Sequence, residues 1–146
     1  MSTSLYEPVT LEAGTTARTA TGQGDPVRVL ESVDKPVSAV IFMLVLTDAK
    51  TGSGDKLDAF VQARLDRTNW INIVHFTQVL GNGADDLLYV AKVSASAAQA
   101  MFEKDTTLAA DAIRNLLAED FRAAWTITDA GGHVQSFTFK VLAIPV

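Results

Sequence analysis

The residue types that most often carry chemistry are few in this sequence, and they stand apart from one another. The two histidines, His75 and His133, have no second histidine or carboxylate at metal-ligand spacing, whereas a zinc site needs three or four ligands. The 146-residue chain has no cysteine, which excludes disulfides, thiolate metal sites and cysteine nucleophiles. It also lacks a Gly-x-Ser-x-Gly nucleophile elbow and a Gly-x-x-x-x-Gly-Lys phosphate loop. We therefore expect a protein that is not an enzyme and holds no cofactor.

Acidic residues gather around one glycine-containing loop. Asp48, Asp55 and Asp58 flank the glycines of this loop and, if brought together, would supply oxygen ligands for Ca²⁺. Calcium sites use six or more oxygens, and the alternating acidic residues of an EF-hand with their terminal Glu are absent. A solvated turn therefore explains the loop better than a metal site. The pair Asp85-Asp86 is expected at a charged loop tip that protects a sheet edge.

Two tryptophans, Trp70 and Trp125, each lie in a stretch typical of a strand. An exposed row of aromatic rings on a β-sandwich stacks on sugar rings in carbohydrate-binding modules. Large aromatic residues in strands belong more often to the core, because they bury the most apolar area per residue. We therefore expect both tryptophans in the core and keep a sugar-binding platform as the alternative.

The elements that would position these residues are mostly strands. The run 37–47 (VSAVIFMLVLT) is continuously apolar and rich in β-branched residues, which is typical of a strand covered on both faces. From Leu57 to Leu65 apolar and polar residues alternate, which indicates a half-buried strand. This pattern predicts an all-β fold, either an antiparallel β-sandwich or a jelly-roll-like barrel. Further strands are expected at 27–33, 70–80, 87–93, 121–128 and 133–144.

One segment departs from this β pattern. Residues 95–119 are rich in Ala, Leu, Glu and Gln, which are good helix formers, and Asp105 or the two threonines after it can cap a helix. We therefore predict a helical insertion between two strands, with apolar residues at helical spacing. This apolar stripe either packs on the chain's own sheet or forms an oligomer contact. The residues that would make the oligomer contact are Leu108, Ala112, Ile113 and Leu116.

The first 26 residues differ in composition from the rest of the chain. They are rich in Thr, Gly and Pro, and they bury too little apolar surface to offset their own ordering entropy. They are either a frayed terminus or an arm that orders on a partner. We predict an extended N-terminal arm over 1–26 and a β-domain over 27–146 that folds without it. The anchors of the arm on a neighbouring subunit would be its large apolar residues, Leu5, Tyr6, Val9 and Leu11.

Composition limits the classes of partner. Hydrophobic residues make up 48% of the chain and mean hydropathy is positive, so we expect another protein to cover some apolar surface. The net charge is −5 with no basic cluster, which argues against a nucleic-acid partner. The longest apolar run, 39–46, is far shorter than the ~18 residues that a membrane span requires. We also expect no secretory signal, because no basic residue precedes an apolar stretch at the start.

Three stretches of the chain follow one another in a distinctive order: LDAFVQAR (57–64), NWINIVHFTQV (69–79) and FRAAWTITDAGGHVQSFTFKV (121–141). Together they resemble small β-sandwich structural proteins from the head-gene modules of tailed bacteriophages. The pattern of that family reads roughly Leu-Asp-x-x-x-Gln, Trp-x-x-hydrophobic-x-x-Phe-Thr-Gln-Val, Arg-x-x-Trp-Thr and Ser-Phe-Thr-Phe. The matching residues are Leu57, Asp58, Gln62, Trp70, Ile73, Phe76, Thr77, Gln78, Val79, Arg122, Trp125, Thr126, Ser136, Phe137, Thr138 and Phe139.

The resemblance covers about 37–141 and implies a structural virion protein. Such a capsid decoration or cement protein is made in the host cytoplasm, binds the major capsid protein on the outer capsid surface and braces neighbouring capsid subunits. The segment 95–119 is longer than the corresponding link of the family, and the N-terminal arm has no counterpart there. The matching residues look like scaffold and core, so the resemblance transfers no active site.

The resemblance also bears on the oligomeric state. Identical subunits usually form closed rings, and the threefold-like sites of icosahedral shells favour three copies, so we expect a homotrimer. Two other functions remain open at this point. One is a carbohydrate-binding module of a phage tail or surface protein, and the other is a head–tail joining subunit.

Overall fold

The computed structural model describes residues 8–30, 36–49, 54–81, 86–129, 131 and 136–146. Within these residues the chain forms ten strands and no helix, and all strand pairs are antiparallel. The strands are β1 (Val9–Glu12), β2 (Gly22–Gln23), β3 (Ala39–Asp48), β4 (Lys56–Arg64), β5 (Trp70–His75), β6 (Val79–Leu80), β7 (Leu87–Ser94), β8 (Ala112–Ile113), β9 (Asp120–Thr128) and β10 (Thr138–Pro145).

The first sheet has the strand order β1-β10-β3-β7. Its central strand β3 is the continuous apolar run of the sequence. Side chains alternate between the two faces of a strand, and Phe42 and Leu44 of β3 point inward and are fully buried. Ile41 and Met43 point outward and keep part of their surface exposed. The sequence predicts that both faces of β3 are covered, and the structure covers only the inner face.

The second sheet has the order β2-β9-β4-β5-β8, and β6 pairs with β4. The alternation read from the sequence is confirmed in β4. Leu57, Ala59, Val61 and Ala63 are fully buried on the inner face, while the residues between them lie on the outer face. The strong inward set fixes the register of β4, because a slip by one residue would turn all four apolar side chains to solvent.

The core lies between the inner faces of the two sheets. Phe42 of β3 meets Phe121 of β9 with ring centroids 5.4 Å apart, and Trp125 meets Phe139 edge-on at 5.6 Å. The first sheet ends at β1 and β7 and the second at β2 and β8, so neither closes on itself. The all-β antiparallel sandwich predicted from the sequence is confirmed, and the alternative of a closed jelly-roll-like barrel is not what the chain forms.

The predicted helical insertion over 95–119 is wrong. Every residue of this segment is described, and the segment contains turns and the short strand β8 but no helix. Asp111 has φ of 65°, which a right-handed helix does not accept. Its N–H donates to the carbonyl of His75 and the N–H of Arg114 donates to that of Ile73, so β8 extends the second sheet. Helical segments of proteins draw most of their stability from tertiary packing, and here the packing contact of Ala112 and Ile113 is a strand pairing with β5.

The described part of the N-terminal segment pairs with the chain's own sheets. β1 pairs with β10 of the first sheet, and β2 pairs with β9 of the second. Leu11 is 4% exposed within the core, and Val27 bridges to Phe121. Gly22 lies so close to Trp125 that a Cβ there would stand 3.1 Å from a ring carbon. Residues 8–30 therefore join the two sheets at one end of the sandwich.

Candidate functional site

The outer face of the second sheet carries a continuous polar network. It begins at Asp58 of β4, whose carboxylate accepts hydrogen bonds of 3.0 and 3.1 Å from Nε2 of Gln78. Nε2 of His75 lies 3.0 Å from Oδ1 of the same carboxylate, and the His75 ring stacks on Phe60 at 4.1 Å. The hydrogen bonds between Asp58 and Gln78 hold β4 to the segment that follows β5. Both residues belong to the motifs that carry the resemblance to phage proteins.

Gln62 continues the network across three strands. Its amide nitrogen donates to Oδ1 of Asn72 on β5 over 2.9 Å, and its amide oxygen accepts from Nε of Arg122 on β9 over 2.7 Å. The guanidinium of Arg122 also stacks on Trp70 at 4.1 Å from the ring centroid, and that of Arg64 lies 4.8 Å from it. Cation–π contacts of this kind stabilise a charged side chain over the electron-rich indole face.

Two positively charged side chains, Arg64 and Arg122, lie close together beside Trp70. Burial lowers the pKa of Arg122, and the positive charge of Arg64 lowers this pKa further. Arg64 is compensated by Asp120, whose Oδ2 accepts from Nη2 over 2.6 Å, and Asp120 also pairs with Arg28 at 3.4 Å. Guanidinium groups stay protonated in folded proteins, so Asp120 balances Arg64 and Arg28, while Arg122 bonds to the neutral amide of Gln62.

The segment 95–119 covers part of this polar face. The carbonyl oxygen of Leu108 lies 2.8 Å from Nδ1 of His75, so each ring nitrogen of His75 faces an oxygen. Arg114 is 5% exposed, and its guanidinium donates to the carbonyls of Asn72 and Thr106 over 3.0 and 2.8 Å. It also stacks on Phe102 at 4.1 Å, and burial lowers its pKa. Arg114 thus fastens the segment to β5.

A cleft of about 300 Å³ remains between the covering segment and the sheet. Phe60 and Trp70 line its floor with aromatic surface, the amides of Gln62 and Asn72 add polar groups, and Lys104 stands at its rim. This volume lies at the lower end of the ~300–1,000 Å³ typical of small-ligand pockets. Aromatic surface beside amides suits a neutral polar ring such as a sugar. The amides already bond to each other and to Arg122, so they would have to share these bonds with a ligand.

The outer face of the first sheet is of opposite character. Three rows of side chains run across β10, β3 and β7 in the register of the sheet. Leu88 and Val90 on β7 are 57% and 60% exposed, and the five apolar side chains beside them are half-buried. Lysines stand at two diagonally opposite corners. The rows are Ile144–Ile41–Lys92, Leu142–Met43–Val90 and Lys140–Val45–Leu88. The seven apolar residues are called the apolar face below.

The four predicted arm anchors fall into two groups. Leu5 and Tyr6 lie outside the described residues. Leu11 is buried in the chain's own core, and Val9 packs against that core while β1 pairs with β10. Leu11 is thus enclosed by its own chain and Val9 is half-buried, and the role of both as anchors on a partner stays a prediction.

The four residues predicted for an oligomer contact do not share a helical stripe. Leu108 belongs to the covering segment and is buried, and Leu116 packs partly against the core. Ala112 and Ile113 form β8 at the edge of the second sheet, where Ile113 is 39% exposed. Ile113 alone of this set keeps a large exposed apolar side chain.

The two tryptophans lie in different environments. Trp125 is 6% exposed, and its indole N–H donates to the carbonyl of Ala20 over 2.9 Å, so its prediction as a core residue is confirmed. Trp70 was also predicted in the core, and that prediction is wrong. It lies on the outer face of the second sheet, half-buried between Arg64 and Arg122, because its position in β5 is one step out of phase with the inward Ile71.

The acidic residues and histidines form no metal site within the described part of the chain, where no three such residues come together. Asp55 is fully buried, Asp48 pairs across to β10 through its backbone, and Asp58 serves the polar network. His133 and Asp85 lie outside the described residues. Asp86 precedes β7 with φ of 52°.

Comparison with known proteins gives no relative. No protein-family model, no curated protein and no solved structure matches the chain. Over the residues that the structure describes, no helix has the length and apolar character to cross a membrane.

Sequence reasoning missed the apolar face, although its signal was present. The run 37–47 is apolar at both odd and even positions, and β10 has apolar residues on both of its faces from Val141 to Ile144. This pattern predicts cover on both faces of 37–47, and the structure covers the inner face alone. Cover of the outer face by another protein stays a prediction.

Proposed function

We propose that this protein is a structural virion protein that decorates the outer surface of a tailed-phage capsid and bridges neighbouring capsid subunits. The observation that carries the proposal is the apolar face, which leaves seven large apolar side chains on one side of the sandwich. Contiguous apolar surface of this kind, with a polar rim, marks a protein interaction site. The motif resemblance to phage head proteins supports the identity of the partner.

The partner assigned to the apolar face is the major capsid protein. Three strands ~4.8 Å apart and three rows of side chains give the face an area on the order of 300 Å². A stable interface buries ~800 Å² on each partner, so additional surface must contribute. Lys92 and Lys140 at opposite corners favour a shell surface with an apolar centre and carboxylates at its rim.

The first test measures how much of the protein occupies purified capsids. Met43 lies at the centre of the apolar face, and Met43→Lys keeps the aliphatic stem while placing a charge there. Thr126→Lys on the exposed outer face of the second sheet is the matched control. We expect Met43→Lys to lower the affinity for empty shells at least about tenfold, or ~1.4 kcal/mol, in a co-sedimentation assay. Equal binding by the two variants would exclude the apolar face as the docking surface.

The copy number per particle separates decoration from head–tail joining. A decoration protein is present in many copies spread over the shell, whereas a joining subunit occurs in one ring at a single vertex. Quantitative mass spectrometry of purified virions measures this number. A count of about a dozen or fewer would favour the joining subunit over decoration.

A second candidate function is supported by the cleft beside Trp70. A carbohydrate-binding module would use this half-buried aromatic residue and the amides next to it. Trp125 takes no part in this candidate, because it is buried under the N-terminal segment. A glycan array with the parent and Trp70→Ala tests it. Binding that Trp70→Ala abolishes would favour the module, and absence of glycan binding would leave decoration as the proposal.

A further inference from the structure

The four edge strands of the two sheets differ in how they resist pairing with another chain. Natural sheets protect their edges with short strands, bulges or proline. β2 and β8 have two residues each, and β1 has four with a register shift between Thr10 and Glu12. β7 runs for eight residues in uninterrupted register with β3 and contains no proline. Of the described edges, β7 is the one that lacks all three of these protections, and its single charged residue is Lys92.

The backbone of β7 has hydrogen-bonding groups directed away from its own sheet. In an antiparallel strand, alternate residues direct both N–H and C=O to the same side. The N–H of Ala95 donates to Ser38 on the side of β3, whereas the N–H of Ser94 donates to the side chain of Asn115 on the other side. Leu88, Val90 and Lys92 follow the phase of Ser94. Their backbone groups therefore face outward, and no described residue pairs with them.

The surroundings of this edge are apolar. Leu88 and Val90 have more than half of their surface exposed, and Ile113 of β8 is 39% exposed. A cleft of about 330 Å³, lined by Val90 on one side and Ile113 on the other, separates the open edges of the two sheets. A strand added to β7 would enter this space and cover apolar side chains from both sheets.

We propose that two copies of this chain pair through their β7 strands, antiparallel and about a twofold axis at Tyr89. In this register Leu88 stands opposite the partner's Val90, and both residues direct their backbone groups at each other. Asp86 directly precedes β7 and comes near the partner's Lys92 at each end of the pairing, so the edge brings opposite charges close together twice. A shift of the axis to Val90 would instead set Leu88 against the partner's Lys92 and lose both matches. Side chains and charges together select the first register.

The pairing makes one eight-stranded sheet from two first sheets, and it places the two apolar faces side by side. A twofold interface is closed, so it yields a dimer. The trimer expected from the sequence had the helical stripe as its candidate contact, and residues 95–119 form no helix. The inference does not depend on the proposed function, because the dimer is defined in solution. If both hold, the dimer is the unit that spans neighbouring shell subunits.

Charge variants test the register. Lys92→Asp and Asp86→Lys each bring like charges together twice in a homodimer, and a mixture of the two variants restores both opposite-charge pairs. Sedimentation velocity over a concentration series measures the mass. We expect the parent to form a dimer, each variant alone to dissociate about tenfold or more readily, and the mixture to recover dimers of mixed composition. Lys140→Asp, on the same face but away from the edge, is the control and should dimerise as the parent does.

A backbone variant tests the edge independently of charge. Val90→Pro removes an N–H that faces outward and is not used within the chain, so the fold should persist, as circular dichroism would verify. We expect Val90→Pro to be monomeric. The proposal is overturned if the parent stays monomeric at high micromolar concentration, if it forms a trimer, or if Val90→Pro dimerises unchanged. These results concern mass in solution and leave the binding of the apolar face to capsids to its own assay.

Discussion

The outer faces of the two sheets differ more than their inner faces do. Both inner faces are apolar and close-packed, as the contact between Phe42 and Phe121 illustrates. On the outside, the second sheet carries a hydrogen-bonded network around Asp58 and Gln62 and is partly covered by residues 95–119. The first sheet presents the apolar face with no described segment across it. One sandwich thus has an outer side that its own chain partly covers and an outer side on which apolar side chains stay exposed.

The difference shows how covering a sheet changes the residues that the sheet can use. Partly buried polar groups stabilise a fold only when they are hydrogen-bonded, and the network on the second sheet meets this condition: no described buried side-chain nitrogen or oxygen lacks a partner. An exposed apolar face needs no hydrogen-bond partners, and its removal from water lowers the free energy of the system. Four changes to the chain probe this difference, in decreasing order of their effect on stability.

The largest effect is expected from deleting residues 1–26, because this segment belongs to both sheets. Its loss removes β1, β2 and the buried Leu11 and uncovers Trp125. Losing a buried Leu costs about 2–5 kcal/mol, and exposing a large apolar ring costs about 1.5–3 kcal/mol more. We expect the truncated protein to lose cooperative thermal unfolding. Deletion of residues 1–7 removes no described strand and is the control. A truncated chain that melts like the parent would restore the independent arm expected from the sequence.

The second prediction compares the two tryptophans, one on each side of the second sheet. Trp125→Ala leaves a cavity in the core and should lower the free energy of unfolding by about 3–5 kcal/mol. Trp70→Ala removes a half-buried ring and its cation–π contacts, which are worth about 0.5–2 kcal/mol, so its effect should be about half as large or less. Urea denaturation measures both. Equal destabilisation would mean that Trp70 is part of the core after all.

The third prediction concerns the cover of the second sheet. Arg114→Met keeps most of the side-chain volume over Phe102 but leaves the carbonyls of Asn72 and Thr106 without their donor. An unsatisfied buried group costs about 1–3 kcal/mol, so we expect a loss of about 2 kcal/mol and faster amide exchange in 95–119. Arg67→Met on the exposed turn after β4 is the matched control. Unchanged exchange in 95–119 would show that Arg114 does not hold this segment.

The smallest effect is expected at the turn between β4 and β5. The backbone N–H groups of Asn69 and Thr68 donate to Asp66 and, with the Asn69 side chain, lower its pKa below the usual 3.8. A carboxyl with a lowered pKa in the folded state adds stability above its unfolded pKa, and this stability is lost as pH falls through the folded value. Asp66→Asn should therefore remove a small part of the acid sensitivity below about pH 4. Melting temperatures at pH 2–7 measure it. An identical pH profile of parent and variant would contradict the assignment.

Part of this architecture is predictable from short-range patterns. Alternation in 57–65 identifies β4 and its inner face, and the apolar run 37–47 identifies β3. The environment of Trp70 was not predictable in the same way. A large aromatic residue can pack in the core, and it can equally form cation–π contacts between two arginines on the outer face. The cleft beside Trp70 depends on the path of residues 95–119, so sequence patterns did not predict this cleft either.

Three features are encoded locally, in composition and a period of two residues: the β character of the chain, the inward residues of β4 and the lack of cysteine chemistry. The other features depend on contacts between distant parts of the chain. Residues 95–119 form a cover and an edge strand because β8 pairs with β5 and Arg114 donates to the carbonyl of Asn72, contacts that only the folded sheet supplies. The N-terminal segment joined the sandwich through contacts such as that of Ala20 with Trp125, which is 105 residues away. Contacts over such separations depend on which surfaces the fold brings together, and no local pattern records them.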